Sequence, residues 1–365
     1  MKLRKTFFAL QVLCVAAAIS CSAVARADDA MPRKLAFYAA PRTSCAPDSS
    51  DRLADSCWAE APVATTYYEY WKSNPALGAL KSEMRLLYDE RGVYVKVVNF
   101  DENMDKVRAS IIRRDDPSLW TDDCAEIYFD PLANGVGFVV FTMNSLGVQS
   151  DRKRHDAAVM LDEWSGNEWR AATSKNDKSW TIDAFFPWSD LGRKAGAGDV
   201  WMFNHVRYAW SSGKFIGTTW APGGNYQTPG KFGYLYFKGD EELSPETVGK
   251  VLSATAPPPW MLPTESGVLQ HPAPGKMELT NADAMAAERR AALLQAISRA
   301  KGEAKQNAES QKQLTELEEK AKAISHTTSV EALDAVEQMT ALQAEANTIY
   351  WRHKLNGLIE SATAN

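Results

Sequence analysis

The side chains best suited to chemistry combine flat aromatic faces with planar polar groups. Trp120 lies in a polar loop that follows Asp115-Asp116-Pro117, and Glu126 comes six residues later. Asn225 and Tyr226 end a glycine-rich loop, where ligand contacts are common. Sugars present C–H faces and hydroxyl edges, so a sugar site needs stacking rings and paired hydrogen bonds. We therefore predict Trp120 and Tyr226 as stacking residues and Glu126 and Asn225 as polar contacts.

Each of these residues also has a structural interpretation. Trp120 could cover the end of a sandwich, and Glu126 could face solvent or pair with an arginine such as Arg207. Trp220 is better explained by packing. A cluster of four aromatic residues could extend a sugar platform or form an edge strand with rings facing the core, which we favour: Tyr67, Tyr68, Tyr70 and Trp71.

The acidic residues do not indicate an enzyme. Glycosidases use two carboxylates, but Asp123 and Glu126 fall on opposite faces of one regular strand. Asp122 and Asp123 are more typical of residues that bind backbone amides in a turn. We predict no catalytic residues and no cofactor, although oxygen-rich loops leave calcium open. The five histidines show no metal-ligand spacing, and neither a G-x-S-x-G elbow nor a phosphate loop occurs.

Alternating apolar and polar residues predict the fold of residues 33–239. Val93, Val95 and Val97 alternate with Tyr94 and Lys96, and three further segments show the same period of two. Short strands bounded by Gly, Pro, Asn and Asp are typical of an all-β sandwich. We expect an antiparallel, jelly-roll-like sandwich in which one face of each strand belongs to the core.

The C-terminal third has a different character. Residues 240–279 hold seven prolines and no periodicity, which predicts a semi-extended linker, with Trp260 docked on a neighbouring surface. Residues 280–362 are rich in Ala, Glu, Lys, Gln and Leu, and predict an antiparallel helical hairpin or coiled coil. Thr328 and Glu331 fit a capping box at the start of the second helix. Self-association through the apolar stripe of these helices is one possible role.

The first residues read as an export signal. Residues 1–27 combine a basic start, a short apolar run and a small-residue cleavage site, which predicts a secreted or periplasmic protein. An alternative is a lipoprotein signal that would attach a lipid at Cys21. Loss of residues 1–27 removes four basic residues and moves the formal net charge from −5 to −9, which argues against nucleic acid as a partner. No segment is long enough to span a membrane.

Three cysteines lie outside this leader. In an oxidising compartment Cys45 and Cys57 could pair, while Cys124 would be a small buried residue in a strand. The alternative is that all three are free thiols.

Several segments, taken together over about 200 residues, resemble the family-9 carbohydrate-binding modules. The order and spacing carry the resemblance, because no single segment is specific. The segments are Leu53-Ala54-Asp55-Ser56-Cys57-Trp58, Met84-Arg85-Leu86-Leu87-Tyr88-Asp89, Trp120-Thr121-Asp122-Asp123-Cys124-Ala125-Glu126-Ile127-Tyr128-Phe129-Asp130-Pro131, Phe141-Thr142-Met143-Asn144-Ser145-Leu146-Gly147, Trp201-Met202-Phe203-Asn204-His205-Val206-Arg207 and Pro229-Gly230-Lys231-Phe232-Gly233. The helical tail lies outside it.

The resemblance implies a non-catalytic β-sandwich that binds sugars, in some members by clamping a chain end between two aromatic rings. Trp120 and Tyr226 match the two walls, and Glu126 matches a polar contact. Thr142 stands where a family member has Arg. Val206 stands where one has Gln, although Arg207 adjoins it and joins the predicted ligand-binding residues.

The sequence thus predicts an exported carbohydrate-binding protein that acts beside polysaccharide-degrading enzymes. Two other classes stay open. Related sandwiches hold haem, for which His205 or Met143 could be an axial ligand, although His205 lies on a core-type face. Alternatively, the chain is an envelope adaptor that holds a partner through its helices.

Overall fold

The computed structural model describes residues 32–73, 75–156, 160–161 and 164–363. The chain divides into two compact units, residues 1–33 and residues 34–365, and the fold and the site below belong to the second unit. The predicted signal peptide and the alternative lipid attachment at Cys21 lie outside the described residues.

Most of the described β-structure belongs to two sheets that enclose the main core. The strands in chain order are β1 (Arg33–Lys34), β2 (Phe37–Pro41), β3 (Tyr68–Glu69), β4 (Ser82–Tyr88), β5 (Gly92–Phe100), β6 (Cys124–Asp130), β7 (Phe138–Asn144), β8 (Gln149–Arg154), β9 (Met160–Leu161), β10 (Arg170–Lys175), β11 (Ser179–Pro187), β12 (Val200–Ala209), β13 (Ile216–Thr219), β14 (Gly233–Lys238), β15 (Trp260–Thr264), β16 (Gly267–Ala273) and β17 (Lys276–Thr280). One sheet has the order β10-β11-β5-β4. The larger sheet has the order β2-β14-β12-β6-β7-β8-β9, with β13 and β3 attached beside β12.

The sandwich predicted for the β-rich region is confirmed, with one change in strand direction. β2 pairs in parallel with β14, whereas β14, β6 and β7 join their other neighbours in antiparallel pairs, so the larger sheet is mixed. The alternation predicted the core correctly: Val93, Val95 and Val97 are buried between the sheets, as are Ile127 and Phe129 on β6. Successive strand side chains point to opposite faces, which makes this pattern readable from the sequence.

A disulfide closes the loop before β3. Cys45 and Cys57 form a disulfide, so the alternative of free thiols does not hold for these two residues. Cys57 packs with Trp58 and Tyr94 on the outer face of the smaller sheet. On the chain-entropy model a loop of this length contributes roughly 3 kcal/mol. Cys124 is a buried free thiol on β6, in agreement with its prediction.

The prediction of a semi-extended linker at 240–279 is wrong. This segment forms a helix, α2 (Pro245–Ser253), and the hairpin strands β15, β16 and β17. Leu252, Trp260 and Leu269 are buried in one cluster with Phe232 and Tyr234 from the larger sheet, so Trp260 docks as expected. Tertiary burial, rather than local periodicity, orders the segment. Its prolines are compatible with this: one of them is the first residue of α2, where a missing N–H costs nothing.

The C-terminal region forms three helices instead of the predicted hairpin of two. The described helices are α1 (Trp188–Leu191), α2 (Pro245–Ser253), α3 (Ala282–Glu303), α4 (Ala308–Ala323) and α5 (Ser329–Thr363). The chain turns between α3 and α4 because Asn307 caps α4, its side chain accepting a hydrogen bond of 2.8 Å from the Ser310 N–H.

Side-chain contacts define the helix directions. Arg289 bonds Gln343 and Lys354 pairs with Glu303, so α3 and α5 run parallel. α4 runs antiparallel to α3, since Arg290 near the start of α3 donates to the Ile324 carbonyl just after α4, and Lys301 near the end of α3 pairs with Glu318. The predicted capping box is confirmed, since Thr328 and Glu331 exchange side chain–backbone hydrogen bonds of 3.2 Å. Among the described residues no helix is long and apolar enough to cross a membrane.

Candidate functional site

The outer face of the larger sheet has two halves. One half is covered by α2 and the β15–β16 hairpin, through the cluster that contains Trp260. The other half carries seven aromatic rings in an unbroken series of contacts, which we call the aromatic row. Its members in spatial order are Trp120, Trp210, Phe215, Tyr208, Tyr70, Trp71 and Tyr226.

Successive ring centroids in the aromatic row are 5.1 to 6.4 Å apart. The rings at both ends are exposed, and Trp120 has 52% of its surface accessible. Tyr70 and Tyr208, in the middle, are buried. Two exposed aromatic patches are therefore joined by a floor of buried tyrosines.

A buried carboxylate lies under this floor. Glu126, on β6, accepts hydrogen bonds from the hydroxyls of Tyr128 and Tyr208, the latter at 2.8 Å. The Tyr208 hydroxyl is also 2.9 Å from that of Tyr70. Burial, reinforced by Glu126, raises the pKa of both Tyr128 and Tyr208 well above the ordinary value. These hydroxyls therefore stay protonated and remain hydrogen-bond donors at neutral pH.

Arg152, on β8, completes the floor. Its Nη2 atom is 3.6 Å from Oε1 of Glu126, and its side chain is 40% exposed. Thr142 pairs directly with Glu126 across β6 and β7, so Arg152 reaches Glu126 from one strand further away. Arg152 is thus the arginine beside Glu126, while Thr142 occupies the position at which the resemblance implied that an arginine is missing.

Two aspartates hold the loop that carries Trp120. Asp122 accepts hydrogen bonds from the backbone N–H groups of Ser110 and Ile111, and Asp123 accepts them from those of Arg108 and Trp210. These contacts confirm that both aspartates bind backbone amides, but the amides belong to distant residues and not to a local turn. Burial acts to raise the pKa of Asp122, but the donated hydrogen bonds outweigh it and hold the pKa below its usual range.

The loop at the other end is held by Asn204. Its amide bonds Thr219 and the Gly224 carbonyl, and its oxygen accepts from the Ala221 N–H. The side chain of Asn225 turns back within the loop and accepts from the Gln227 N–H at 2.8 Å. This contact secures the loop conformation next to Tyr226.

The structure brings together most of the predicted residues, but not all. Trp120, Glu126 and Tyr226 lie on one face, and Asn225 is buried in the loop beside Tyr226. Trp120 and Tyr226 do not touch, because five other rings of the aromatic row separate them. They therefore mark two ends of a face.

Arg207 requires a correction. Its side chain is fully buried on the opposite side of β12, where it donates to the carbonyls of Lys81 and Phe100 and pairs with Asp101 at 3.0 Å. Side chains alternate along the strand, so a residue next to Val206 cannot share its face. Arg207 is part of the structure of the core, and the partner of Glu126 is Arg152.

His205 also lies in the core, as its position on β12 indicated. Its Nδ1 atom is 2.9 Å from the Tyr67 hydroxyl, and burial lowers its pKa to about 3. Met143 is buried in the same core cluster. Both candidates for axial haem ligation are thus packed among core side chains.

Sequence reasoning missed three solvent-accessible members of the face: Phe215, which is exposed, and Trp210 and Arg152, which are half-buried. Trp210 could have been predicted from the period of two along β12, because it lies an even number of residues after Met202. Trp71 was considered within the aromatic cluster, and it is exposed, while Tyr67, Tyr68 and Tyr70 are buried as favoured. Trp220 is buried, in line with its packing role.

No three His, Cys, Asp or Glu side chains within the described ranges converge as a metal-binding group.

A model of the family described as carbohydrate family 9 binding domain-like matches residues 51–240, more than half of the chain. The chain therefore belongs to this family, a family of non-catalytic binding modules. None of the curated proteins matches the chain.

Three solved structures were also compared with the chain. A family-9 carbohydrate-binding module from Caldicellulosiruptor kristjanssonii in complex with cellotriose is 16% identical, with a TM-score of 0.42, over 57% of this chain and 96% of that one. The same organism's family-9 module in complex with glucose is 16% identical, with a TM-score of 0.40, over 58% of this chain and 99% of that one. A protein of Bacteroides uniformis that is proposed to bind carbohydrate is 15% identical, with a TM-score of 0.46, over 57% of this chain and 100% of that one.

Proposed function

We propose that this chain is a non-catalytic carbohydrate-binding protein whose ligand lies on the aromatic row. The observation that carries the proposal is the pairing of two exposed aromatic patches with a polar floor on one sheet face. Membership of the family supports it. An exposed tryptophan contributes no burial free energy to the fold. Exposed aromatic groups beside fixed polar groups are typical of ligand sites.

Stacking would supply most of the affinity. Burial of about 100 Å² of sugar against one aromatic face contributes roughly 2 kcal/mol. Two such faces and a few hydrogen bonds, reduced by the cost of association, give an affinity of micromolar order at best. Trp120 and Tyr226 would stack on sugar rings, and Arg152 would donate hydrogen bonds from its exposed guanidinium.

Glu126 would act at the floor rather than as a free acid. Its carboxylate already accepts two tyrosine hydroxyl bonds, and it orients Arg152. Within the described part of the chain, no group of three acidic, histidine or cysteine side chains gathers around it. We therefore propose binding without bond cleavage, and we expect no release of products from any bound oligosaccharide.

The wider role is also a proposal. Export by a leader at residues 1–27, with attachment at Cys21 as the alternative, would place the protein in the periplasm or outside the cell. There it would support the breakdown of carbohydrates by separate polysaccharide-degrading enzymes.

The test is the replacement of Trp120 by alanine. We expect a glycan array, and calorimetry with cellotriose and glucose, to show binding by the mature protein. Trp120→Ala should bind at least tenfold more weakly, because a stacking face is lost. Trp351→Ala is the matched control, since Trp351 is 53% exposed but lies on α5. Equal affinity in both variants would show that the aromatic row is not the site.

A further inference from the structure

Cations line the floor and both ends of the aromatic row. Arg152 is the central one: its single ion pair, with Glu126, is 3.6 Å long, and within the described residues its guanidinium donates no hydrogen bond. An arginine has five N–H donors in a planar fork that matches a carboxylate. Arg152 therefore offers an anion-binding group on the ligand face.

A second group of cations lies beside Trp210. A hollow of about 610 Å³ is lined there by Lys106, Arg108 and Trp210, together with Ser211 and Ser212. The Arg108 guanidinium is 5.9 Å from the Trp210 ring centroid, and its ion pair with Asp122 is as long as 3.9 Å. Over the described ranges, Lys106 makes no ion pair, not even with Asp105 in the same turn. Two cations thus border the aromatic patch that contains Trp120.

A third cation lies at the opposite end. The Lys231 ammonium lies beside Gly223, in the loop that carries Tyr226, where a β-carbon added to the glycine would come within 3.4 Å of it. Arg154 approaches the same loop and donates to the Tyr226 carbonyl at 2.6 Å. Positive charge therefore extends along the whole length of the face.

Several carboxylates near this face are already engaged. Asp122 and Asp123 accept backbone hydrogen bonds, and Glu126 accepts two from tyrosines. Asp115 and Asp116, which precede Trp120, pair with Arg114 and Arg113. Asp105 is exposed beside Lys106 and offsets part of its charge. The engaged carboxylates leave positive groups accessible on this face, although the whole chain has a formal net charge of −5.

We propose that the glycan bound here is anionic, carrying carboxylate or sulfate groups that Arg152 and the flanking cations hold while its rings stack on the aromatic row. This inference rests on the proposed carbohydrate-binding function. Charge-assisted hydrogen bonds are about twice as strong as neutral ones, so they select an acidic sugar over its neutral counterpart.

The test compares two matched pairs of ligands by calorimetry on the full mature chain. Trigalacturonate is paired with its neutral methyl ester, and sulfated cellotriose with cellotriose. We expect the acidic member of at least one pair to bind about tenfold tighter. The pair that shows the difference identifies carboxylate or sulfate as the group. The preference should shrink between about 0.1 and 0.5 M NaCl, since salt screens exposed charges.

The Arg152→Gln variant should lose this preference, because it should weaken the binding of the acidic ligand much more than the binding of the neutral one. Arg193→Gln is the matched control, because Arg193 has a similar side-chain exposure of 42% and pairs with Asp199 away from the aromatic row. Thermal unfolding of each variant checks that the fold is intact.

Two outcomes would overturn the inference, and they differ from each other. Equal or tighter binding of the neutral ligands would refute the anionic glycan while leaving the proposed function in place. Absence of binding to all four ligands and to the glycan array would refute both the anionic glycan and the proposed function.

Discussion

Three carboxylates close together in the sequence have different tasks because their surroundings differ. Asp122 and Asp123, just before β6, are anchors for backbone amides, while Glu126 on β6 points to the outer face under Tyr208. None of the three is a free acid or base. Strand alternation puts Arg207 in the core, while Arg152 lies on the outer face beside Glu126.

His205 is a buried neutral group whose cost of protonation should be measurable. Burial, with the nearby Arg207 charge as a lesser cause, lowers its pKa to about 3 from an ordinary value of 6.5. Between these two pH values the unfolded chain binds a proton that the folded chain does not. Stability is therefore lost as the pH falls from 6.5 towards 3, and this residue contributes nothing to the pH dependence above that window.

At about pH 5 we expect His205 to reduce the free energy of unfolding by about 2 kcal/mol relative to about pH 7.5. Urea unfolding of the native chain and of His205→Gln at both pH values isolates this effect, because other titrating groups cancel in the difference. His155→Gln, at an exposed position, serves as the control. A His205→Gln variant that loses as much stability as the native chain would contradict the assignment.

The end of α5 is an element without a described partner. The ion pair between Lys354 and Glu303, at 3.2 Å, lies at the end of α3, and α5 continues to Thr363. This part of the helix exposes four large apolar side chains at helical spacing: Trp351, Leu355, Leu358 and Ile359. The apolar stripe predicted from the sequence, which includes Leu333, Val336 and Met339, is buried. Self-association would therefore use this exposed stripe instead, since paired helices cover such seams.

We expect light scattering to show that the mature chain is an oligomer. The double variant Leu355→Glu/Leu358→Glu should be a monomer. Charges placed in a helix–helix seam are costly because they are desolvated without partners. Leu294→Glu, another exposed leucine on α3, is the control and should leave the mass unchanged. A native chain that is already monomeric at high concentration would refute self-association.

At the scale of the whole molecule, the region that matches the family and the region after it share one hydrophobic cluster. The family match ends at residue 240, yet Leu252, Trp260 and Leu262 are buried against the outer face of the larger sheet. The α5 helix adds a buried ion pair, in which Glu337 binds Lys34 at 2.8 Å. The C-terminal region is thus attached to the sandwich by packing, and it covers the half of the sheet face that the aromatic row leaves free.

A chain truncated after residue 239 should therefore be much less stable than one truncated after residue 280. Loss of three buried apolar side chains removes about 6 kcal/mol of burial, which is a large part of the stability of a domain. Urea midpoints and the fraction of soluble protein measure the difference. Equal midpoints for the two truncated chains would show that residues 240–280 contribute nothing to the sandwich.

Local patterns in the sequence determined the elements that depend on neighbouring residues. The period of two in β5 and β6 predicted their core faces, and the capping box at Thr328 predicted the start of a helix. The disulfide was one of two alternatives, because pairing depends on how close the folded chain brings Cys45 and Cys57. Trp120, Glu126 and Tyr226 were predicted on residue type and family spacing, and they share one face.

Tertiary structure alone decided everything that depends on distant segments. Residues 240–279 carry no periodic signal. They fold because Trp260 packs against an apolar surface formed by a distant part of the chain. Arg152 reaches Glu126 only because β7 lies between their strands, and the aromatic row exists only where four separate segments meet. A sequence specifies periodicity and caps through neighbours a few residues apart. A binding face is assembled from residues far apart in the chain, so its composition becomes visible only once the sheet is formed.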